Sequence, residues 1–564
     1  MDWMYLFYFL LGAAVFFGAR ACPRGEWNEE YTSRRQMKIL QGISILGVAM
    51  HHMAQKTCGS WHPHSFIVHG MDPFLSVGLL FVAVFLFCSG FGLYMRWKTD
   101  PDYLRHFLRR RVAPVVIAFY LSEIIYVLVR WAMGEKLTPV KVLIYLAGLK
   151  LANFNAWYII AIVYLYLVFF LAFRLCKKDS TAIALVTFFT LAYAVLGAII
   201  DHNDWWFTGE WWYNSIILFP LGMIFAKHEK RVTAFLKKGY WFWLILSFVA
   251  VIGFFRLADF LVNSAWGYYG EWGDPLKVPH RLGCAASQWL TCIAYVAFWF
   301  LLLLKVRIDN KLWTLLGVFT LEFYMMHGIF VEMFGFNWLD YAPSLYYIKK
   351  VPLYIPAVLA CSAVGTALFS LLWKGCVRLL CGPQALKKEK TAVRRTIDLK
   401  KLRKWFLPML VVLLLGGMYA VLGSGQSEAG RVMNGMAVTL PEGYSCSYKD
   451  SRYAVWKYTG SAMKPGPVIL DANIRGLKSE SFATAEDVLA GCEWLNESEI
   501  YVNPNGVRMV RGFSPEYADA PERRLYVESK SSVFLICMQE DSQYYDPSDC
   551  EKVMQQVADS VKAK

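Results

Sequence analysis

Apolar runs about 20 residues long recur along the chain and are separated by shorter polar or charged segments. A helix of that length crosses a hydrocarbon layer about 30 Å thick. The pattern predicts ten such spans in the body of the chain. They cover residues 37–54, 74–96, 112–132, 155–175, 182–201, 212–227, 241–262, 286–306, 314–335 and 353–374. Two flanking spans are predicted at residues 3–19 and 405–424.

From Gln426 onward, short segments that resemble the strands of a soluble domain replace the long apolar runs. Strands are predicted at residues 436–440, 452–458, 467–474, 499–503, 506–511, 523–529 and 532–538. The sequence Pro504-Asn505-Gly506 predicts the turn of a hairpin between two of them.

Two helices complete this C-terminal region. One is predicted at 485–493 with Thr484 as its N-cap, and the other at 549–562, where Ser548 and Glu551 fit a capping box. The predicted fold class is therefore an all-α polytopic membrane bundle followed by a C-terminal α+β domain. The bundle has about ten core helices and one flanking helix at each end.

Composition and charge add an orientation. The chain is 57% hydrophobic and carries a formal net charge of +15, and its basic residues concentrate at 96–111, 227–238 and 373–404. Since basic loops remain in the cytoplasm, His52 is predicted to lie near the outer face of the membrane, and everything after Gly423 is predicted to lie outside. The net positive charge then reflects the concentration of basic residues on the cytoplasmic side, next to an anionic inner leaflet. It does not indicate a nucleic-acid partner.

These observations predict five regions. They are an N-terminal transmembrane helix with a cytoplasmic linker (1–33), the membrane core (34–375), a basic cytoplasmic linker (376–404), a further transmembrane helix (405–424) and an extracytoplasmic α+β domain (425–564). The first helix is interpreted as retained, because no basic segment precedes its apolar run. The last region has four cysteines, Cys446, Cys492, Cys537 and Cys550, an even number that permits disulfides outside the cell.

The candidate chemistry begins in the first core span, RRQMKILQGISILGVAMHH, residues 34–52. A helix takes Lys38 to His52 in roughly 21 Å, so a cation lies at one membrane face and an imidazole near the other. Ionisable groups in a span indicate function by default, although terminal histidines can also simply meet water. His51 is the neighbouring alternative to His52, but it points about 100° away around the helix.

An arginine cluster and a group of three histidines are further candidate sites. Arg105 and Arg109–Arg111 precede Pro114, and such a cluster is more often topological or lipid-binding than a site for phosphates. His62, His64 and His69 follow the first span, but no fourth ligand comes at a familiar zinc spacing, so no metal site is predicted.

Five motifs in register carry a family resemblance. They are KILQGISILGVAMHH, SGFGLYM, the arginines before Pro114, NAWYIIAIVYLY and GVFTLEFYMMHG at residues 317–328. Together they resemble the integral-membrane acyltransferase family 3 over roughly residues 34–375. The resemblance implies transfer of an acyl group, expected to be acetyl, from acyl-CoA to cell-surface glycans or related acceptors. The donor is a substrate, and no bound cofactor is expected.

The resemblance also assigns residues. His52 matches the family's histidine, but Gln41 stands where the family usually has arginine; Lys38, one turn earlier, is the conjectured replacement. Arg111 fits one position of the family's arginine pair, and Leu108 or Pro114 occupies the other, depending on register. The resemblance makes His327 a framework residue, with Glu322 and Tyr324 beside it at helical spacing.

The expected mechanism places the donor phosphates on Arg109, Arg110, Arg111 and the Lys38 end of the first span, with His52 as general base. Membrane lipids, acyl-CoA and an extracytoplasmic glycan or glycolipid are the expected partners. Two alternatives remain open at this stage. One is a polytopic transporter with an exported sensory or binding domain; the other is a membrane protein that has lost catalysis, which Gln41 leaves open.

Overall fold

A computed structural model covers the chain, and its described residues fall into two compact units. The described residues are 3–59, 67–132, 135, 137–202, 206–266, 275–335, 347–382, 385, 431–433, 436–441, 444–449, 453–458, 468–471, 484–492, 495–517, 520–528, 533–539 and 546–563. The predicted span 405–424 lies outside them.

The first unit is a helical bundle. Its described α-helices, α1 to α13 in chain order, are Trp3–Phe16, Arg34–Gln55, Gly78–Thr99, Ala113–Ala132, Pro139–Leu146, Trp157–Leu175, Asp179–Ile199, Leu218–Lys238, Tyr240–Phe260, Lys277–Lys305, Lys311–Val318, Thr320–Phe334 and Val351–Cys381. Each of the ten predicted core spans coincides with one of these helices or, at 314–335, with the pair α11 and α12. The predicted flanking span 3–19 coincides with α1.

Within the described residues, seven helices are long and apolar enough to cross a membrane, or eight if the bent pair α11 and α12 forms one span. Helices α2 and α8, which have charged ends, are not among them. The prediction for α8 was wrong at both ends, since the helix begins at Leu218 and continues through the basic segment to Lys238. No glycine or proline interrupts that segment until Gly239, so the helix continues past the last apolar turn.

Contacts inside this unit place the two ends of α2 on opposite faces. At one end, the Nδ1 atom of His51 lies 2.9 Å from the carbonyl oxygen of Phe74, which precedes α3. At the other end, the Gln36 amide donates to the carbonyl of Ile308 at 2.7 Å. Ile308 ends β2 (Val306–Ile308), which pairs antiparallel with β1 (Ala19–Ala21). The end of α2 that is predicted to be cytoplasmic and the end that carries the histidines therefore contact different parts of the bundle. Which side of the membrane each end faces stays a prediction.

A bend of 85° at Phe319 separates α11 from α12. Two glycines let this bend approach α2 closely. A β-carbon on Gly42 would lie 2.0 Å from the carbonyl oxygen of Trp313, and one on Gly317 would lie 1.8 Å from that of Lys38. Because no other side chain fits there, these glycines set the position of α11 beside α2.

The second unit is built on an antiparallel sheet. Its strands, β3 to β12 in chain order, are Arg431–Met433, Met436–Val438, Tyr444–Lys449, Tyr453–Tyr458, Val468–Asp471, Asn496–Val502, Arg508–Tyr517, Ala520–Glu528, Val533–Gln539 and Lys562–Ala563. Seven of them form one sheet in the order β5-β6-β7-β11-β10-β9-β8, and β12-β4-β3 form a second. Helix α14 (Ala485–Gly491) packs on one face of the large sheet and α15 (Pro547–Ser560) on the other, because alternate residues of β11 contact each helix.

Most predictions for this unit are confirmed. Each predicted strand overlaps an observed one, the turn at 504–506 joins β8 to β9, and Gly506 adopts a φ of 75° there. Thr484 caps α14, in a capping box with Asp487. The prediction for α15 was wrong in detail: its N-cap is Asp546, which accepts from the backbone of Ser548 at 2.9 Å. Strands β3, β5 and β12 were not predicted.

Three of the four C-terminal cysteines, Cys492, Cys537 and Cys550, are buried in this unit. None of these three forms a disulfide, so the expected disulfides are absent among the described cysteines. The side chain of Cys446 lies outside the described part of the chain.

Candidate active site

Two histidines far apart in sequence meet in the first unit. The Nδ1 atom of His52, near the end of α2, lies 2.8 Å from the Nε2 atom of His327 on α12. Their rings are nearly parallel, with an interplanar angle of 8° and centroids 5.1 Å apart. His327 is fully buried, at 0% exposure, whereas His52 is only partly buried. The pair therefore has one fully buried member and one partly buried member.

Hydrogen bonding assigns the tautomers of both rings. The Nδ1 atom of His327 lies 3.1 Å from the carbonyl oxygen of Phe323 and 2.9 Å from that of Tyr324. Carbonyl oxygens only accept, so this Nδ1 carries the proton and the neutral ring accepts through Nε2. His52 must then donate its own Nδ1 proton to His327. The Nε2 atom of His52 is left with a lone pair, which is the form that a general base requires.

His51 takes a different direction, as predicted. Its Nδ1 donates to the carbonyl of Phe74 at 2.9 Å, and a β-carbon on Gly78 would lie 2.6 Å from its Nε2. The ring of His51 therefore packs against the start of α3 and ties that segment to α2. This is a structural contact, and it does not involve His327.

A buried carboxylate supports the histidine pair through a loop. Glu123, within α4, accepts from the backbone N–H groups of Ala152 at 2.7 Å and Asn153 at 3.2 Å. The loop that it holds presents the carbonyl of Asn155, which accepts from the hydroxyl of Tyr324 at 2.6 Å. The ring of Tyr324 lies 5.7 Å from that of His327. Glu123 is thus a scaffold residue, two contacts away from the histidines.

An ion pair lies one turn beyond the histidines. Lys56, four residues after His52, places its ammonium 2.9 Å from a carboxylate oxygen of Glu332, five residues after His327. It joins the ends of α2 and α12 one turn from His52. Sequence reasoning missed this pair, because each residue alone resembles an ordinary charge at the end of a span.

The other end of α2 holds a cluster of charges. Lys38 interacts electrostatically with Glu322 of α12 and with Arg111. The carboxylate of Glu322 is buried; it accepts from the hydroxyl of Ser370 at 3.1 Å and lies 3.9 Å from the ammonium of Lys374. Glu322 therefore turns toward α13 and away from His327, although it shares a helix with that histidine. Lys374 was counted in the sequence only as a topological charge.

The three predicted donor-binding arginines lie in a π-helical turn, Leu108–Val112, and all three are exposed. Arg111 donates to the hydroxyl of Tyr103 at 3.1 Å, and Arg109 donates to the carbonyl of Cys381 at the end of α13. Arg110 faces solvent. The structure thus brings Arg111 near Lys38, while Arg109 is engaged with backbone. The side chain of Gln41 is partly accessible on α2. The roles assigned to these residues stay predictions.

Histidines outside the pair were candidates for a metal. His62 and His64 lie outside the described residues, and His69 contacts Asp72 with Nδ1 2.7 Å from a carboxylate oxygen. Among the residues that the structure describes, no group of three or more His, Cys, Asp or Glu side chains could hold a metal ion.

Comparisons with known proteins agree with the resemblance seen in the sequence. Residues 34–373 match the acyltransferase 3 family, whose description is "Acyltransferase domain". The match begins at the first residue of α2 and ends within α13, so it includes both histidines and the charge cluster, apart from Lys374. No curated protein and no solved structure matches the chain.

Proposed function

Because this chain belongs to the acyltransferase 3 family, we propose that it transfers an acetyl group from cytoplasmic acetyl-CoA to a hydroxyl of an extracytoplasmic acceptor. The acceptor is a cell-surface polysaccharide or glycolipid. Family membership itself implies a membrane-bound acyltransferase. The donor, the acceptor and the direction across the membrane are the parts that we propose.

The observation that carries the proposal is the tautomer order of the histidine pair. Two backbone carbonyls fix the proton of His327, and His327 in turn fixes the proton of His52 on Nδ1. The Nε2 lone pair of His52 then makes no hydrogen bond to the described residues, and the side chain of His52 is only partly buried. A general base needs such a partner to hold its tautomer and orientation.

The reaction follows from this arrangement. The acceptor hydroxyl gives its proton to His52 Nε2 as its oxygen attacks the thioester carbonyl. The new C–O bond forms, the C–S bond breaks, and the departing thiolate takes the proton from His52, which regenerates the neutral ring. During the step His327 accepts a stronger hydrogen bond from the imidazolium of His52 and stabilises it. General-base catalysis of this kind contributes typically about 10²–10⁴-fold.

The donor must reach His52 from the opposite end of α2. Lys38 lies roughly 21 Å from His52 along the helix axis. The phosphates of acetyl-CoA would bind near Lys38 and Arg111, which interact electrostatically. The pantetheine arm would then extend between helices toward the histidine pair.

The test uses the purified full chain in detergent with acetyl-labelled acetyl-CoA. An acyltransferase should release coenzyme A and transfer the labelled acetyl group either to water or to an added glycan fraction. That fraction is prepared from the surface of the cells that make the protein. A transporter, or a protein that has lost catalysis through Gln41, should do neither at any donor concentration. Comparing acetylation of surface glycans in cells with and without the protein identifies the acceptor class.

A further inference from the structure

Two hydrogen-bond donors near the histidine pair have no acceptor among the residues that the structure describes. Tyr126, within α4, is 6% exposed, and its buried hydroxyl makes no hydrogen bond to them. The side-chain amide of Asn155 is half-buried and likewise makes none, although the backbone N–H and C=O groups of this residue are both paired. Buried polar groups are almost always paired, so donors left without an acceptor need an explanation.

The two donors converge on one point beside the histidine pair. A β-carbon on Gly328 would lie 2.4 Å from Nδ2 of Asn155 and 2.5 Å from the hydroxyl oxygen of Tyr126. A side chain there would fill the space between the donors, and glycine leaves that space open. The donors are also close enough for one oxygen atom to accept from both at ordinary hydrogen-bond distances. Because Gly328 directly follows His327, the space adjoins the buried member of the pair.

The contacts of the backbone around Asn155 hold its amide in place. The N–H of Asn155 donates to the side-chain oxygen of Asn153 at 3.0 Å, and its carbonyl accepts from the hydroxyl of Tyr324 at 2.6 Å. The backbone N–H of Asn153 in turn donates to the buried carboxylate of Glu123 at 3.2 Å. The scaffold that supports His327 therefore also orients Asn155. A donor held in this way needs little reorganisation when it binds a charge.

The donors indicate the chemistry of the ligand atom. The oxygen of Tyr126 interacts with the backbone N–H of Ile329. Since an N–H only donates, the O–H proton of Tyr126 still requires an acceptor. Glu123 and Glu332 also interact electrostatically with Tyr126, but neither carboxylate forms a hydrogen bond with it. Two donors on one point fit an oxygen that only accepts, such as that of a carbonyl, whereas a hydroxyl or a water would need an acceptor as well.

We propose that Tyr126 and Asn155 are catalytic residues that form an oxyanion hole for the thioester carbonyl of the donor. This rests on the proposed function, because it needs an acyl donor. As the acceptor oxygen attacks, the new C–O bond forms and the π electron pair of the carbonyl moves onto its oxygen, which accepts from both donors. When the C–S bond breaks, the C=O bond re-forms and the thiolate leaves with the proton from His52. Donors aimed at the developing charge stabilise the transition state more than the substrate.

The test starts with Tyr126→Phe, which removes only the hydroxyl. It should lower kcat for acetyl transfer by roughly 10²–10³-fold, the typical cost of one oxyanion-hole donor, and change KM for acetyl-CoA little. Its thermal unfolding temperature should match or exceed that of the wild type, because a buried polar atom without an acceptor is removed.

The matched control is Tyr193→Phe. Tyr193, on α7, also has a buried hydroxyl that makes no hydrogen bond to the described part of the chain. Its rings of contact are those of Tyr164 and Phe207, and not the histidines. The control should therefore show the same effect on thermal stability as Tyr126→Phe and leave kcat unchanged.

A second variant tests the other donor. Asn155→Asp keeps the size of the side chain and the backbone contacts, but it replaces the donating nitrogen with a carboxylate oxygen that repels an oxyanion. It should lower kcat at least as much as Tyr126→Phe. Asn155 lies in the short segment before α6 and is half-buried, so this variant decides the question even if Tyr126→Phe does not fold.

The outcomes separate the two proposals. If wild-type protein transfers acetyl to neither water nor glycan, the proposed function fails and this inference fails with it. If wild type is active and either Tyr126→Phe or Asn155→Asp keeps its kcat, the oxyanion hole is contradicted while the proposed function stands. Equal losses of kcat in Tyr126→Phe and Tyr193→Phe would also overturn the inference, because removing a buried hydroxyl far from the histidines would then have the same effect.

Discussion

Each unit of this protein contains a buried polar pair, and the two pairs are built differently. In the second unit Arg524 donates to one carboxylate oxygen of Glu522 at 2.9 and 3.1 Å and to the hydroxyl of Tyr526 at 3.1 Å. In the first unit His52 donates to His327, and its Nε2 accepts no hydrogen bond from the residues that the structure describes. The hydrogen bonds of Arg524 are made to residues of its own strand. The histidine pair instead leaves the Nε2 lone pair of His52 without a hydrogen bond to the described residues.

The comparison distinguishes a pair that stabilises from a pair that reacts. The charges of Arg524 and Glu522 neutralise each other, and both side chains are buried, so neither is available to a ligand. The histidines are both neutral, and His327 fixes the proton of His52 without consuming its second nitrogen. Buried polar groups are therefore informative about function when their hydrogen bonds fix a tautomer and still leave a reactive atom accessible.

The largest expected effect is at the reactive member of the histidine pair. His52→Ala should lower the rate of acetyl transfer by about 10²–10⁴-fold, because it removes the general base. Expression should stay near wild type, since His52 is partly exposed, and thermal stability should fall only slightly, because the loss leaves a single acceptor, the Nε2 of His327, without a donor. Wild-type rates in this variant would show that the base lies elsewhere.

The ion pair should respond in stability and not in rate. Arg524→Met leaves the Glu522 carboxylate buried without its partner and should destabilise the second unit by about 3–5 kcal/mol. The double variant Glu522→Leu with Arg524→Met should recover most of that loss, because no charge remains buried. Hydrogen exchange of the β10 amides in the full chain measures both. Acetyl transfer that falls in parallel with this destabilisation would break the distinction between the pairs.

The pH dependence of amide protection in β10 tests whether the Glu522–Arg524 pair gains or loses stability as the pH rises. Burial raises the pKa of Glu522, although the guanidinium of Arg524 opposes the shift. An acid whose pKa is higher in the folded state contributes stability below its unfolded pKa and loses that contribution as the pH rises through the folded pKa. Protection of the β10 amides should therefore decline over that interval in the wild type and change less in the double variant.

Much of the fold follows from local patterns. A helix at each of the ten predicted core spans was predictable, because a long run of apolar residues favours a helix regardless of its neighbours, although only seven or eight of the described helices are apolar enough to cross a membrane. The end of α8 was not, because a change from apolar to charged residues marks the membrane surface and does not stop a helix. The cap of α15 was misplaced for a related reason. Ser548 and Asp546 are both good N-caps, and only Pro547 between them, which suits the first helical position, selects Asp546.

The site was predictable only in part. The position of His52 in α2 and the different direction of His51 follow from helix geometry. The contact between His52 and His327 spans 275 positions of sequence. It depends on the packing of α11 against α2 at Gly42 and Gly317, which local patterns do not encode. The contact of Lys374 with Glu322 was not predictable either, because the distribution of basic residues indicates a membrane side, while the reach of a lysine side chain depends on its neighbours.

A smaller effect is expected at the buried member of the histidine pair. His327→Gln keeps a carbonyl oxygen that can accept from His52 Nδ1, whereas His327→Leu keeps none. We expect the Leu variant to lose roughly 10- to 100-fold in kcat, as is typical when a partner that orients a reactive histidine is removed, and the Gln variant to lose less. Equal losses in both variants would indicate that His327 fills space and does not fix the tautomer.

The smallest expected effect on catalysis is at the neighbouring histidine, His51. Like the Arg524–Glu522 pair, and unlike His52, it is expected to contribute to stability and not to the reaction. His51 donates to the carbonyl of Phe74 and packs on Gly78, so His51→Ala should lower the free energy of unfolding by roughly 1 kcal/mol, the net value of one hydrogen bond. Acetyl transfer should remain close to wild type, because the His52–His327 contact does not depend on that bond. Thermal unfolding in detergent and initial rates at saturating acetyl-CoA measure the two properties separately. A His51→Ala variant that is stable but inactive would place the base one residue earlier and reverse the assignment of the two histidines.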